Sequence, residues 1–407
     1  MPVSTRNAQV PIITCRIWML YEIILQVLIV LASALILGEL FSQLRLPSVA
    51  GELAAGLILG PSLLGVVTVN SQIQGLSSIA LFFIIFLIGY QMKTETLRTH
   101  FAESILVTMT SFVIPLIIAT LFAISLFPFG TLEDFILALA LAVPSISIIS
   151  VMVMQYDLVE QRTGQLIISS VIVTDVVAFV ILATVSENTH DTLLLLVYLS
   201  VILIAYAIID RMLNRRVVAL RRFLNYASSI LKREYLSYTV LIVFGLFVSY
   251  VFQLIGLSFI VGAFFAGLIL HDELIGKESF ENFRHVLESM NQGFFIPIFF
   301  GFAGVEAALS PPDYPLVGYM MLAISASLIT SVILTYFFTK KVMHEKTNVD
   351  PRTVAVILGG RGAVGIVVVT VALSIGLIGN TSYSLVIFGT TVTSVVIPLL
   401  LRRKNQP

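Results

Sequence analysis

Residues Gly164–Ser186 read GQLIISSVIVTDVVAFVILATVS. As a helix this stretch is long enough to cross a bilayer, which takes about 20 apolar residues. Asp175 stands at its middle, with no lysine or arginine within ten residues in sequence. A carboxylate in mid-span is costly and persists where an ion, a proton or a buried partner needs it. Far downstream a second lone charge, Arg361, interrupts the apolar run AVILGGRGAVGIVVVTVAL. One isolated acid and one isolated base, each near the centre of a different span, point to an ion pathway rather than to a structural anchor.

Composition agrees. The chain has 407 residues, 58% hydrophobic and 11% charged, with a mean hydropathy of +1.03. A soluble domain could not hide that much apolar side chain, so the reading is an all-α polytopic membrane protein. Continuous apolar runs near 20 residues long exclude the alternating segments of about ten residues that build a membrane β-barrel. Formal net charge is zero, which predicts no nucleic-acid partner. A single cysteine, Cys15, excludes an internal disulfide and a cysteine-rich metal site, and five scattered histidines give no metal spacing. No cofactor is expected. No paired acids, nucleophile set or metal cluster suggests an enzyme. The N-terminal stretch lacks a cleavable signal pattern.

Turn and charge signals divide the apolar runs into thirteen expected spans. They are 19–42, 47–65, 75–92, 103–127, 132–155, 163–185, 191–210, 233–254, 256–271, 291–309, 315–339, 352–376 and 381–401. Residues 1–18 then form a tail, 19–401 the membrane domain and 402–407 a short second tail. Basic residues test the count. Arg45, Lys93 and Arg98, Arg162, the cluster Arg211–Arg233, Lys277 and Arg284, Lys340–Arg352 and Arg402–Lys404 fall on one side, and only Arg6 and Arg16 in the N-terminal tail break the pattern. The opposite loops hold Glu133, Asp134, Glu187, Asp191 and Asp313. The positive-inside bias makes the C-terminus cytoplasmic and, with an odd count, the N-terminus external.

Two spans look broken. The fifth, LALAVPSISIISVMVMQ, contains Pro144, which removes a helical hydrogen bond, while Ser145 and Ser147 can bond freed carbonyls or an ion. In the twelfth, VAVILGGRGAVGIVV, Gly359, Gly360, Gly362 and Gly365 loosen the helix around Arg361. A plain proline kink plus packing glycines would explain either span alone. Together with Asp175 and Arg361, interrupted helices at matching places in two halves predict an inverted-repeat secondary transporter with its site at the midplane.

These residues carry a resemblance. RLPSVAGELAAGLILGPSLLG (Arg45–Gly65), GLSFIVGAFFAGLIL (Gly256–Leu270), FIPIFFGFAGVEAAL (Phe295–Leu309) and GGRGAVGIVVVTVALSIGLI (Gly359–Ile378) resemble, in order and spacing, motifs of the monovalent cation:proton antiporter superfamily. The resemblance covers nearly the whole chain. It implies a thirteen-helix fold with a dimerisation half and a six-helix ion-transporting core, an elevator-like motion, a homodimer and a prokaryotic cell membrane. It also makes Asp175 the ion-binding aspartate. Its predecessor in the superfamily is commonly Asp, Asn or Gln; here it is Thr174, which favours one-for-one, electroneutral exchange. Ala363 stands where a glutamate is frequent, and the eleventh span lacks the lysine often found there.

The expected mechanism is competition. A partly dehydrated Asp175 can be neutralised by a proton or by a monovalent cation, sodium favoured over potassium, but not by both. Thr174, Ser145, Ser147 and carbonyls freed at Pro144 could supply oxygen ligands. Arg361, between Gly360 and Gly362, is expected to bond the loosened carbonyls and the fifth-span break. Glu52, early in the second span, is either a pathway residue or an interhelical contact. Two rival readings are a gated potassium efflux pathway and a membrane sensor that kept the fold without transport.

Overall fold

The structure is a computed structural model that describes residues 12–44, 46–68, 70–91, 103–145, 149, 153, 158, 161–185, 236–254, 259–270, 277–309, 313–343 and 350–401. Regular structure among these residues is helical throughout. The helices are α1 (Ile12–Gln43), α2 (Ser48–Leu59), α3 (Ser71–Gln91), α4 (Glu103–Leu126), α5 (Thr131–Ala142), α6 (Arg162–Val185), α7 (Leu236–Leu254) and α8 (Phe259–Ile269). There follow α9 (Lys277–Met290), α10 (Ile296–Glu306), α11 (Tyr314–Phe338), α12 (Pro351–Ile357), α13 (Ala363–Ser374) and α14 (Asn380–Leu401). Every expected span except the seventh meets a described helix; 191–210 and the basic cluster Arg211–Arg233 lie outside the described residues. Glu22–Gln43, Ser71–Gln91, Glu103–Leu126, Arg162–Leu182 and Tyr314–Lys341 are each long and apolar enough to cross a membrane. Large apolar side chains such as Ile24, Leu28 and Ile36 on α1 and Phe247 and Leu254 on α7 point outward. The molecule is therefore an integral membrane protein whose outer surface suits lipid.

Two helices run beyond their expected spans. The first begins at Ile12, and its apolar, membrane-length part is Glu22–Gln43, in line with the expected 19–42. At Asn291, the expected start of the tenth span, no helix begins. There, α9 runs directly into α10 through a π-turn over Asn291–Phe295. The physical reason lies in α9, KESFENFRHVLESM, which buries Phe280, Phe283 and Leu287 on one face and so continues the helix beyond the apolar run. Tyr90 stacks on Phe280 at 4.3 Å between centroids and holds that face to α3.

The helices pack in two groups. One contains α1, α2, α3, α7, α8, α9 and α10; the other contains α4, α5, α6, α11, α12, α13 and α14. Where α14 meets α2 and α10, and α6 meets α8, the groups touch. Small residues set the closest approaches, as expected where lipid supplies no hydrophobic drive and van der Waals contact must. A Cβ on Gly56 would strike the Gly301 carbonyl oxygen, and one on Gly304 would strike that of Leu53. Within the second group hydroxyls join α4 to α11. Ser327, Ser331, Thr335 and Thr339 recur every four residues, all fully buried. The Ser331 hydroxyl donates to the Ser111 carbonyl at 2.9 Å, and Thr335 approaches Thr110 at 3.5 Å. Ser111 lies in a π-turn of α4, Met109–Val113.

At the centre of the second group two chains stop being helical and pair. Helix α5 ends at Ala142 and α12 at Ile357, before α13 begins at Ala363. Pro144 and Arg361 form an isolated antiparallel bridge, and the Ser145 N–H donates to the Gly360 carbonyl at 2.7 Å. The Arg361 guanidinium donates through Nη1 to the Ala142 carbonyl and through Nη2 to the Ser111 carbonyl at 3.5 Å. The Ser394 hydroxyl of α14 donates to the Arg361 carbonyl at 3.3 Å. Arg361 is 1% exposed, and its Nε has no partner.

Two outcomes are expected. Gly304→Val should lower the melting temperature of the detergent-purified protein, with overpacking worth about 1–3 kcal/mol, whereas Gly318→Ala, whose Cβ meets nothing within 4 Å, should leave it unchanged. Arg361→Ala strands the Ala142 carbonyl, a loss of about 1–3 kcal/mol, and should lower both the melting temperature and the transport rate. Arg361→Lys should retain part of each, because the charge stays but the planar fork is lost. An unchanged melting temperature in Arg361→Ala, with a large change in cation affinity, would place Arg361 in the binding site instead.

Candidate ion-binding site

Asp175 sits thirteen residues after Arg162, the first residue of α6, and ten before Val185, the last. At 1.5 Å per residue it is roughly 20 Å from one end and 15 Å from the other. It is 1% exposed, and both carboxylate oxygens lack a hydrogen-bond partner. A soluble-protein core would not leave such a group unanswered, because a buried charge without a partner is among the costliest things a fold can hold. Apolar layers bracket it along the helix. Leu166, Ile167 and Val171 pack on one side with Val107, Val354 and Ile357. On the other side Phe179 meets Phe264 of α8 at 5.0 Å between ring centroids.

The polar groups nearest in sequence are engaged in a small hydroxyl cluster. The Thr174 hydroxyl donates to the Ser170 carbonyl one turn back at 2.9 Å. From α4, the Thr108 hydroxyl donates to the same carbonyl at 3.1 Å. The two hydroxyl oxygens are 3.5 Å apart. Both residues are buried. Ser170 in turn donates to Leu166 O at 2.8 Å, and the Ser169 hydroxyl, also buried, has no partner.

The structure thus places Asp175 and Thr174 on one unbroken helix, and Pro144, Ser145, Gly360, Arg361 and Gly362 at the crossing of the two interrupted chains. Helix α6 packs against both α12 and α13, the two halves that flank the crossing. Ser147 lies outside the described residues. Glu52 belongs to the first helix group. It is 4% exposed, and its Cγ would lie 3.2 Å from a Cβ on Gly38 of α1. Its setting is an α1–α2 contact, although Oε2 is left without a partner. Among the described residues no group of histidine, cysteine and acidic side chains could chelate a metal ion. No ion pair of Arg361 is present among them either; Arg162–Glu103 and the pairs of Arg284 are peripheral.

Thr108 and Ser111 of α4 and Ser331 of α11 were not singled out by sequence reasoning. One signal was available for the last. The spacing of Ser327, Ser331, Thr335 and Thr339 puts four hydroxyls on one helix face, which an apolar span does not need. For Thr108 no local signal exists, because its meaning depends on which helix α4 packs against.

Comparison with known proteins extends this geometry to the whole chain. A "Probable Na(+)/H(+) antiporter 3" of Methanocaldococcus jannaschii is 24% identical over 92% of this chain and 94% of its own length. A "Na(+)/H(+) antiporter" of Enterococcus hirae is 23% identical over 92% of this chain and 96% of its own. A "Na(+)/H(+)-K(+) antiporter GerN" of Bacillus cereus is 23% identical over 94% and 96%. Among solved structures, the sodium proton antiporter MjNhaP1 from Methanocaldococcus jannaschii shares the fold at a TM-score of 0.58, with 16% identity, covering 94% of this chain and 96% of that one. Residues 28–403 match the transmembrane sodium/hydrogen exchanger family, and with its helices crossing broken at Pro144 and Arg361 the chain belongs to that family.

Proposed function

We propose that this protein is a secondary antiporter that exchanges a monovalent cation for a proton at Asp175, with sodium preferred to potassium. The observation that carries this reading is the carboxylate itself, buried in mid-helix with neither oxygen partnered by protein. Such a group is tolerable when something transient neutralises it. A proton does so covalently, and a hard cation does so with help from neutral oxygens. One carboxylate cannot hold both, so a carrier that crosses only when neutralised returns with the other species. The names of the sequence relatives, sodium/proton antiporters and a sodium/proton–potassium antiporter, favour this pair of substrates.

Thr174 in place of a second acid makes the cycle electroneutral: one negative charge carries one proton in one direction and one monovalent cation in the other. The division of the helices into two groups is the arrangement an alternating-access carrier needs, with the group holding Asp175 and the crossing moving against the other. On this reading residues 19–401 form the exchanger domain, the first group supplies a homodimer contact, and the protein lies in a prokaryotic cell membrane. The basic residues put the C-terminus in the cytoplasm.

The primary test is a dequenching assay in vesicles that hold an imposed pH gradient, with sodium, potassium and lithium added in turn. Wild type should dissipate the gradient on sodium addition. Asp175→Asn, which folds but cannot alternate between a protonated and an ion-paired form, should be reduced to the rate of empty vesicles. A near wild-type rate in Asp175→Asn removes Asp175 from its role. The same vesicles test stoichiometry: a membrane potential set by valinomycin, with sodium as the exchanged ion, should neither speed nor slow transport. A clear response to the potential would require a second proton carrier.

A further inference from the structure

The hydroxyls of Thr108 and Thr174, from two helices, share one backbone acceptor. Each hydroxyl has one proton to give and lone pairs to accept with. Both protons are directed to the carbonyl of Ser170, at 3.1 and 2.9 Å. The 3.5 Å between the two oxygens is then a gap between two acceptors rather than a strong hydrogen bond. The pair comes from two helices, α4 and α6, and is buried on both sides. Asp175, whose two unpartnered oxygens are the independent sign of a missing ligand, is the next residue along α6.

Adjacent side chains on a helix diverge by about 100°. A ligand that reaches both Thr174 and Asp175 therefore lies at the helix surface between them, next to the point where the Thr108 hydroxyl comes within 3.5 Å of that of Thr174. Hard cations of sodium's size hold oxygen ligands at about 2.4 Å, and two such ligands at a right angle stand about 3.4 Å apart. A potassium ion, being larger, needs a wider pair. The backbone carbonyl that receives both protons is part of α6 and resists spreading, so the pair cannot open freely to suit the larger ion.

Resting on the antiport reading above, we propose that Thr108 and Thr174 form an oxygen pair that ligates the transported cation beside Asp175 and sets the preference for sodium over potassium. Thr108 is thereby a specificity-determining residue contributed by α4, outside both the broken helices and the helix that carries the aspartate.

The test compares half-saturating concentrations of sodium and potassium in the vesicle assay for wild type, Thr108→Val, Thr108→Ser and Thr174→Val. Loss of one ligand group should raise the sodium value at least about tenfold in Thr108→Val, while the potassium value moves much less. Thr108→Ser, which keeps the oxygen, should stay close to wild type in both ions. Thr174→Val provides the same measurement from α6 should Thr108→Val fail to accumulate. Equal rises for the two ions, or no rise, in a variant with wild-type melting temperature overturns the proposal. A wild type that exchanges neither ion defeats the antiport reading and takes this proposal with it. A wild type that exchanges sodium, alongside a Thr108→Val indistinguishable from it, defeats this proposal alone.

Discussion

Two helices end inside the bundle, and the backbone groups they leave open are answered chiefly by each other. In hydrocarbon an unanswered N–H or C=O costs several kcal/mol, so non-helical backbone survives at depth only where protein satisfies it. Here the antiparallel bridge between Pro144 and Arg361, the Ser145 to Gly360 bond and the guanidinium on the Ala142 carbonyl do that work. Everything in the second helix group is arranged around this crossing. Helices α5 and α13 approach closely enough that a Cβ on Gly365 would strike the Ala140 carbonyl oxygen. Across the group, α4 offers Ser111 and α14 offers Ser394. Proline suits the crossing because it brings no N–H to satisfy, and arginine because one side chain carries several donors on a planar fork.

The crossing also explains how a guanidinium can lie buried with no acidic partner among the described residues. The carbonyl end of a helix carries partial negative charge, and Arg361 is placed at the end of α5. Carbonyl dipoles thus take the part that a carboxylate takes in an ion pair. That leaves Asp175 uncompensated by a fixed cation among the described residues, and a carboxylate without a permanent partner is one that a mobile ion can occupy. The two lone charges of the sequence are therefore treated differently by the fold. One is tied to backbone, and the other is left open.

Between the two helix groups the contacts are of another kind. On the side of α14's N-terminus, Ser384 bonds both the N–H and the carbonyl of Ala308, and Tyr383 donates to the Ala303 carbonyl at 3.1 Å. Within α14's own group, Glu133 of α5 accepts from the Gly379 N–H and the Ser382 hydroxyl. A few hydrogen bonds of this sort are worth about 1 kcal/mol each, small beside the buried apolar cluster that runs through both groups.

The sequence by itself determined the membrane setting, the order of the spans, the lone charges at Asp175 and Arg361 and the breaks at Pro144 and Gly359–Gly362. All of these are local: apolar length, a proline, a glycine run and an isolated ionisable group each carry their physics in a few adjacent residues. The helix that precedes the tenth span, back to Lys277, was also written locally, in the buried face of α9, but a hydropathy reading sees only where the apolar run begins. What the tertiary structure decided is partnership. The sequence pointed Arg361 at the fifth-span break, where its guanidinium meets Ala142, but nothing near it says that it also reaches Ser111, and nothing near Thr108 says that it shares the Ser170 carbonyl with Thr174. Glu52 looked in sequence like Asp175, an acid within an apolar helix, and only packing against Gly38 set it in a different helix group. Periodicity shows which face of a helix is apolar. Which neighbour that face meets depends on the summed packing of all the other helices, and no short stretch of sequence contains that sum.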